Sequence, residues 1–204
     1  MRYSKTHKDE TRTKLIETAR AITKKGGFSS TGVDALMSAI GMTGGAFYSH
    51  FPSKQALFQA VIEDEIRNSS EMLAGGKNAS GDQLEQCLRN YLSTSHVLHP
   101  EEGCVLPALG GEIARAEPEV RETVEKGLKQ IQKAWANRLD SPDAAWAIIA
   151  QCVGALVISR AVETERTRKE IITSTRKAIE KSYFPRKNKG ILLSTPHNAR
   201  SLDD

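Results

Sequence analysis

Cys104 and His96 are the residues of this sequence whose side chains could do covalent chemistry. Cys104 lies in the run Glu-Glu-Gly-Cys-Val-Leu-Pro, at the expected start of a short helix, where the helix dipole lowers the pKa of a thiol. The neighbouring acids Glu101 and Glu102 oppose that effect. Such a thiol could serve a hydrolase together with His96, or sense oxidants and electrophiles, whereas a thiol packed in the interior is inert. We favour packing.

The sequence lacks the motifs of the common enzyme classes. We find no glycine-rich phosphate loop, no nucleophile elbow, no metal-ligand cluster and no pair of carboxylates on one face. The three cysteines are an odd number without a close pair, which argues against a disulfide framework and against a zinc motif. They are Cys87, Cys104 and Cys152. We therefore expect a protein that is not an enzyme, needs no metal or cofactor, and works in the reducing cytoplasm.

The segment from Thr31 to Lys54 has the pattern of two short helices joined by a tight turn at Gly41. Glycine adopts the left-handed conformation of such a turn most easily. Four apolar residues stand where the pair would pack against itself: Leu36, Ile40, Met42 and Phe47. Thr43 can cap the second helix and leave its first turn pointing outward. A helix presented in this way can enter the major groove of DNA with its leading residues against base edges.

This segment, with its ending Phe-Tyr-Ser-His-Phe-Pro-Ser-Lys, resembles the N-terminal domain of the tetracycline-repressor (TetR) family over roughly Thr11 to Val61. The resemblance implies an Ω-shaped homodimer of nine-helix subunits, usually a repressor, with a ligand pocket in the C-terminal domain. The phosphate contacts that it implies are Thr31, Tyr48, His50 and Lys54. The residues that it implies near the bases are Thr43, Gly44, Gly45, Ala46 and Ser49.

These implied roles are chemically sensible, but one position departs from the family. Lys54 would add its charge to exposed amides at a helix start, and Ala46 could touch a thymine methyl group. Members of the family often carry a basic or polar side chain where this sequence has Gly44, and Gly45 follows. Two glycines weaken a helix by roughly 1 kcal/mol each relative to alanine, and they offer no side-chain donors. Recognition should therefore depend more on backbone approach, on DNA shape and on an N-terminal arm. The arm contains Arg2, Lys5 and Lys8.

The hydrophobic periodicity is helical nearly everywhere and predicts an all-α fold of about nine helices. We assign residues 1–54 to a three-helix DNA-binding domain of the helix-turn-helix type and residues 55–184 to a larger helical domain for effector binding and dimerisation. Residues 185–204 are polar and irregular, and we expect a disordered tail. The clearest loop is 75–81. Helix starts are marked by Ser53, Pro118 and Ser141.

The most apolar stretch, Ala144 to Ile158, is interrupted by Gln151 and is shorter than the roughly 18–20 residues of a membrane helix. We expect a helix that is buried on more than one side and no membrane partner. The first fourteen residues are polar and basic, so we expect no signal peptide.

The family resemblance implies that the helix Ala144 to Ile158 and the helix around Ile171 form a four-helix interface between two copies; the alternative is an internal core only. A two-fold protein is also what a palindromic double-stranded operator requires.

An effector pocket is expected in the C-terminal domain. An apolar cavity with a few polar groups is the usual small-molecule site, and the side chains available suggest a modest apolar or aromatic effector. Each of them is individually more often a core residue than a ligand contact. The candidates are Tyr91, His96, Cys104, Leu106, Trp135, Trp146 and Gln151.

The net charge of +4 is unevenly distributed. Residues 1–54 hold nine Lys and Arg against four Asp and Glu, whereas residues 55–183 hold sixteen against nineteen. A basic front end suggests a nucleic-acid footprint, although basic N-termini are also common without one.

We therefore predict a DNA-binding transcriptional regulator, most simply a repressor that a small-molecule effector releases from its operator. The alternative is a redox- or electrophile-sensing repressor of the same family that uses Cys104. A sequence-neutral architectural DNA binder is a weaker alternative, because the helix-turn-helix is attached to a much larger helical domain.

Overall fold

The computed structural model describes residues 5–74 and 81–184, and all regular structure in these residues is helical. The α-helices are α1 Lys5–Gly26, α2 Val33–Ala39, α3 Lys54–Ala74, α4 Gly81–Tyr91, α5 Thr94–Leu98, α6 Leu106–Ile113, α7 Pro118–Leu139, α8 Pro142–Ala161 and α9 Glu165–Tyr183. Two 3-10 helices, Gly44–Ser49 (the 44–49 helix) and Pro100–Glu102, complete the described part. The predicted all-α fold is confirmed. The predicted tail and residues 75–80 of the predicted loop lie outside the described residues.

The helix starts follow the capping chemistry that the sequence predicts, with one exception. The Ser53 hydroxyl accepts a hydrogen bond from the Ala56 amide at 3.1 Å, and the Ser141 hydroxyl accepts one from the Ala144 amide at 3.2 Å. Thr43 occupies the N-cap position of the 44–49 helix with an extended backbone, but its side chain makes no capping hydrogen bond. The predicted Thr43 side-chain cap is therefore wrong, and the helix starts without one.

Two hydrophobic clusters organise the helices. The first joins α1, α2, the 44–49 helix and α3 to α6 and the beginning of α7. Its fully buried members include Leu15, Leu36, Met37, Phe47, Phe51, Leu57 and Ile62. The second cluster joins α4, α5, α8 and α9 to the later part of α7, around Leu84, Leu88, Leu92, Ile131, Trp135 and Leu156. The apolar side chains of α3 thus pack with the N-terminal helices, although the domain boundary predicted at 54/55 falls where α3 begins.

α7 contributes to both clusters and packs closely against α3. Gly127 of α7 lies so near α3 that a Cβ atom there would be 1.9 Å from the Ile66 methyl carbon Cγ2. Val124 precedes this contact in the first cluster, and Ile131 follows it in the second. A glycine at the crossing therefore allows one long helix to connect the two clusters at close range.

α8 is apolar on its inner and outer faces. Its inner face buries Ala145, Ile148, Cys152, Ala155 and Leu156, so in a single chain the helix is buried on one side, whereas the sequence analysis predicts burial on more than one side. Its outer face exposes 41% of Trp146, 46% of Val157 and 56% of Ile158. By length and composition α8 could cross a membrane, and it alone passes that test among the described helices, but core helices of soluble proteins pass it as well. The outer face is an apolar surface that a single chain leaves open to solvent.

Candidate nucleic-acid interface and effector cavities

α2 and the 44–49 helix form the predicted pair, with a left-handed turn at Gly41 (φ 76°). The Met42 amide donates to the Met37 carbonyl at 2.9 Å, which closes the end of α2. Phe47 is fully buried beneath the pair, whereas Tyr48 is 67% exposed. The short helix therefore anchors one aromatic ring in the core and presents the next to solvent.

A groove of about 660 Å³ separates the 44–49 helix from the first turns of α1. From the second helix of the pair it is lined by Thr43, Ala46, Ser49 and His50, all of which the family resemblance places on DNA. From α1 it is lined by Lys8, Glu10, Thr11 and Lys14. Among the remaining predicted contacts, Gly45 and Tyr48 are exposed and Gly44 and Lys54 are half-buried. The side chains of Arg2 and Lys5 in the predicted arm lie outside the described residues.

Two of the predicted contacts already donate their hydroxyl protons to backbone carbonyls. Thr31 is 8% exposed, and its hydroxyl donates to the Gly27 carbonyl at 2.7 Å. The Ser49 hydroxyl donates to the Ala46 carbonyl at 2.7 Å. Phosphate oxygens accept hydrogen bonds, so neither hydroxyl can donate to a phosphate until it leaves its carbonyl. In the structure both side chains are thus occupied by hydrogen bonds within the chain.

Lys54, by contrast, keeps donors available. Its ammonium donates to the Ser29 carbonyl at 3.1 Å and lies 4.8 Å from the centroid of the Phe28 ring. An ammonium has three N–H groups, so this bond leaves two for a phosphate.

Glu112 of α6 holds the loop between α1 and α2, a role that the sequence analysis missed. One carboxylate oxygen accepts from the Phe28 amide at 2.8 Å, and the other accepts from the Ser29 amide at 2.7 Å and the Ser29 hydroxyl at 2.6 Å. Gly27 has a φ of 87°, and a Cβ atom there would be 3.1 Å from the same carboxylate. No spacing rule links residues so far apart, so no pattern in the sequence indicates this contact.

Arg12 of α1 supports the other end of the 44–49 helix. Its Nη1 donates to the His50 carbonyl at 2.6 Å, and its guanidinium carbon lies 3.9 Å from the centroid of the buried Phe51 ring. The guanidinium therefore fixes the end of the helix through the backbone and the ring together. Arg12 is a second positioning residue that the sequence analysis missed.

Four of the seven residues predicted for the effector pocket line one or both of two cavities. Tyr91, Leu106 and Trp135 line an apolar cavity of about 20 Å³ together with Leu128, Ile131, Ile148, Ile149, Cys152 and Val153. Tyr91 and His96 line a second cavity of about 220 Å³ near the end of α4, with Cys87, Asn90, Ser93, Ser95, His99, Glu102 and Gly103. Cys104, Trp146 and Gln151 line neither cavity. Trp146 is on the outer face of α8, and the Gln151 amide donates to the Ala147 carbonyl at 3.1 Å.

Cys104 is completely buried beside Tyr91. Burial raises the pKa of the Cys104 thiol, although hydrogen bonds with Tyr91, the Leu106 backbone and Ser69 act in the opposite direction. Burial also raises the pKa of Cys152 to about 12, whereas Cys87 is half-buried. No group of three or more potential metal ligands occurs in residues 5–74 and 81–184. The thiol environment at Cys104 is thus that of a packed side chain.

Comparisons with known proteins place these features in context. Residues 15–61 match the model of the family described as bacterial regulatory proteins, tetR family. The transcriptional regulator UidR of Escherichia coli K12 is 38% identical over 63 residues, which are 30% of this chain and 32% of UidR. The match thus spans about a third of that curated relative.

Two solved structures share the fold over most of their length. A TetR-family regulator from Agrobacterium tumefaciens superposes with a TM-score of 0.69 at 19% identity, over 84% of this chain and 98% of that one. The reduced form of Escherichia coli NemR superposes with a TM-score of 0.65 at 18% identity, over 84% and 96% of the two chains. At such identities these structures establish a common fold.

The Glu112 contacts predict a pH-dependent contribution to stability. Burial raises the pKa of Glu112, but the hydrogen bonds from Ser29 and Phe28 together hold it below the ordinary 4.5. The stabilisation should be complete above pH 4.5 and disappear as the pH falls through the lower pKa of the folded protein. Glu112→Gln should therefore destabilise the protein by about 1 kcal/mol at pH 7 and by much less at pH 3.

Urea unfolding of both proteins across this pH range measures the difference. Glu122→Gln, at an exposed position of α7, is the matched control and should have little effect at any pH. An equal loss at pH 7 and pH 3 would contradict the assigned role of the carboxylate.

Proposed function

The chain belongs to the TetR family of bacterial regulatory proteins, and we propose that it is a dimeric repressor that a small-molecule effector releases from a palindromic operator. The observation that carries the DNA-binding part is the 44–49 helix, which lies inside the matched segment 15–61. Its buried Phe47 fixes the helix, and its exposed Tyr48 stands beside the surface that would meet the major groove.

The proposed DNA contacts are the nine residues named from the resemblance, and their chemistry favours phosphate contact and shape over direct base reading. A Cβ atom on Gly44 would lie 1.8 Å from the Asp34 carboxylate oxygen Oδ1, so a larger residue here would displace the Asp34 side chain. With glycine at this place the backbone can approach the DNA closely, while side-chain donors to base edges are few. Lys8 and Lys14 add positive charge across the groove.

The outer face of α8 supports dimerisation. Trp146, Val157 and Ile158 form an exposed apolar surface on a helix that is packed on its other side against α7 and α9. A second copy related by a two-fold axis would cover this surface. The same axis would place two 44–49 helices on one operator, as a palindromic site requires.

The apolar cavity beside Tyr91 supports an apolar or aromatic effector. At about 20 Å³ it is smaller than any such molecule, so an effector could enter only if the helices around it separated. Those helices include α7, which also reaches the first cluster. An effector that binds a more open arrangement of these helices would shift the protein toward a state in which the DNA-binding helices have a different position. The proposed release from the operator follows from this shift.

The redox-sensing alternative finds less support in the structure. The likeness to the reduced form of NemR is compatible with it, but the burial of Cys104 and its raised pKa oppose a reactive thiolate.

We also propose that residues 1–54 and 55–184 act as the DNA-binding and effector domains, and that the protein works in the cytoplasm, where the operator is.

Selection of bound fragments from random or genomic DNA would test the proposal directly. Recovery of a palindromic site supports a dimeric repressor, and the genes beside it would indicate the chemical class of the effector. Recovery of fragments without a common sequence would favour an architectural DNA binder instead.

Lys54→Ala and Tyr48→Phe should weaken binding to all DNA sequences alike, because phosphate contacts carry affinity and not base choice. Lys54→Ala should also lower the steepness of the salt dependence by about one, because it removes a charge that neutralises a phosphate, whereas Tyr48→Phe removes no charge and should leave the steepness unchanged. Lys54→Ala should have the larger effect. Fluorescence anisotropy measures both quantities. The titrations are run between about 50 and 200 mM salt, a range over which a protein with several phosphate contacts loses affinity by orders of magnitude.

Lys126→Ala removes the same charge from an exposed position on α7 and serves as the control. Melting curves separate loss of the Lys54–Ser29 bond from loss of DNA contact. Relaxed base preference at one operator position in either variant would show that the phosphate assignment is wrong.

Ile158→Glu should give a folded monomer that binds the operator weakly, because Ile158 is 56% exposed in one chain. Leu156→Glu should instead unfold the protein, because Leu156 is completely buried. Sedimentation velocity together with circular dichroism distinguishes the two outcomes. A monomeric wild-type protein at micromolar concentration would refute the dimer.

Thiol labelling should distinguish the two versions of the repressor. Under native conditions a thiol reagent should modify Cys87 first, and Cys104 and Cys152 only on unfolding, as followed by mass spectrometry. Mild oxidant should leave operator binding unchanged in the wild type and in Cys104→Ser. Fast, selective modification of Cys104 with loss of DNA binding would make redox sensing the better explanation.

A further inference from the structure

Lys24 and Glu65 form an ion pair that is buried between α1 and α3. Their side chains are 2% and 4% exposed, and the Lys24 ammonium lies 3.0 and 3.1 Å from the two Glu65 carboxylate oxygens. Arg20 also contacts Glu65, at 3.2 Å. The desolvation of buried charges offsets much of their attraction, so such a pair is weak evidence for a stabilising role. The position of the pair between α1 and α3 suggests a role other than stabilisation.

The Lys24 ammonium has a third acceptor, which lies beyond α1 and α3. It donates to the carbonyl of Gly103 at 2.9 Å, between the 3-10 helix Pro100–Glu102 and α6. The three N–H groups of the ammonium can therefore serve three acceptors: two on α3 and one in the segment that leads into α6. Lys24 thus joins the N-terminal helices to the backbone of the C-terminal part.

His96 holds the same peptide group from the opposite side. The Gly103 carbonyl and the Cys104 amide belong to one planar peptide unit, and the Cys104 amide donates to His96 Nε2 at 2.9 Å. Because Nε2 accepts, the proton is on Nδ1, which donates to the Tyr91 carbonyl at 2.8 Å. Burial lowers the pKa of His96, which favours this neutral form. A Cβ atom on Gly103 would lie 2.1 Å from the imidazole carbon Cδ2, so the ring is in close contact with the backbone.

Arg160 of α8 extends these contacts to the helix with the open apolar face. Its Nη2 donates to the His96 carbonyl at 2.8 Å, and its Nε is 3.4 Å from the Val97 carbonyl. His96 and Gly103 also line the cavity of about 220 Å³. A continuous series of polar contacts therefore runs from α8 through α5 and the 103–104 peptide to α1, and it passes along a cavity wall.

We propose that Lys24 is a positioning residue for DNA binding. Its bond to the Gly103 carbonyl sets the orientation of α1, so a displacement of the 103–104 peptide changes that orientation. This statement rests on the proposed DNA-binding function.

A double-mutant cycle on operator affinity tests the link. His96→Asn removes the imidazole acceptor of the Cys104 amide and should weaken operator binding by about tenfold, in the range of allosteric couplings. The paired replacement Lys24→Met with Glu65→Met removes both buried charges at once, which proteins often tolerate. It should weaken binding by a similar factor. In that background His96→Asn should change the affinity less than about threefold.

Gly103→Ala provides a second arm that leaves the ion pair in place. Its Cβ would collide with the His96 ring, so operator binding should again fall by about tenfold. Gly110→Ala in α6, where a Cβ meets nothing within 4 Å, is its control and should have little effect. Lys25→Met removes the adjacent, exposed charge that pairs with Glu101 and should combine additively with His96→Asn.

Affinities are compared on folded protein, with melting temperatures recorded for each variant. A purely structural role of Lys24 would lower the melting temperature and leave the effects on affinity additive, and this result would overturn the proposal. Unchanged operator affinity in the Gly103→Ala variant would overturn the proposal as well. If the wild type binds no selected DNA, the proposed function fails, and this inference fails with it; if the wild type binds and the cycle is additive, only this inference fails.

Discussion

The burial of Phe47 is the interaction on which the DNA-facing surface depends. A 3-10 helix of six residues that begins with two glycines and has no side-chain cap cannot hold its shape through local interactions. Phe47 ties it to the first hydrophobic cluster, and the bond from Arg12 to the His50 carbonyl fixes its end. The exposed residues of this helix therefore take their geometry from what lies beneath them, and local propensity contributes little.

Two buried or half-buried polar contacts, one near each end of α6, connect this N-terminal unit to the rest of the chain, in addition to the exposed Lys25–Glu101 pair. Glu112 binds the loop after α1, and Lys24 binds the Gly103 carbonyl just before α6 begins. Apolar packing of α3 against α7 resists separation but tolerates small sliding, since it has no preferred direction. Hydrogen bonds specify direction and distance, so these contacts determine the angle at which the N-terminal helices stand.

The features that the sequence predicted correctly are those in which the partners are near one another along the chain. The turn at Gly41, the Ser53 and Ser141 caps and the buried Phe47 all follow from local spacing and residue type. The contacts from Glu112 and Lys24 join residues more than 75 positions apart, so no periodicity could reveal them. Thr43 has the right backbone for a cap, but residue type alone could not show that its hydroxyl makes no bond to the following amides. The DNA contacts and the pocket residues stay predictions.

The small size of the apolar cavity has a kinetic consequence. A space of about 20 Å³ holds roughly one water molecule, so an organic effector that binds there, as we propose, would meet a closed surface in most encounters. Association then requires a spontaneous separation of helices that are packed as densely as a crystal, and such motions take microseconds to milliseconds. As the effector concentration rises, the observed rate of binding should approach a plateau set by the rate of this opening. Its response time would then be governed by the protein's own fluctuations, even when the effector is abundant.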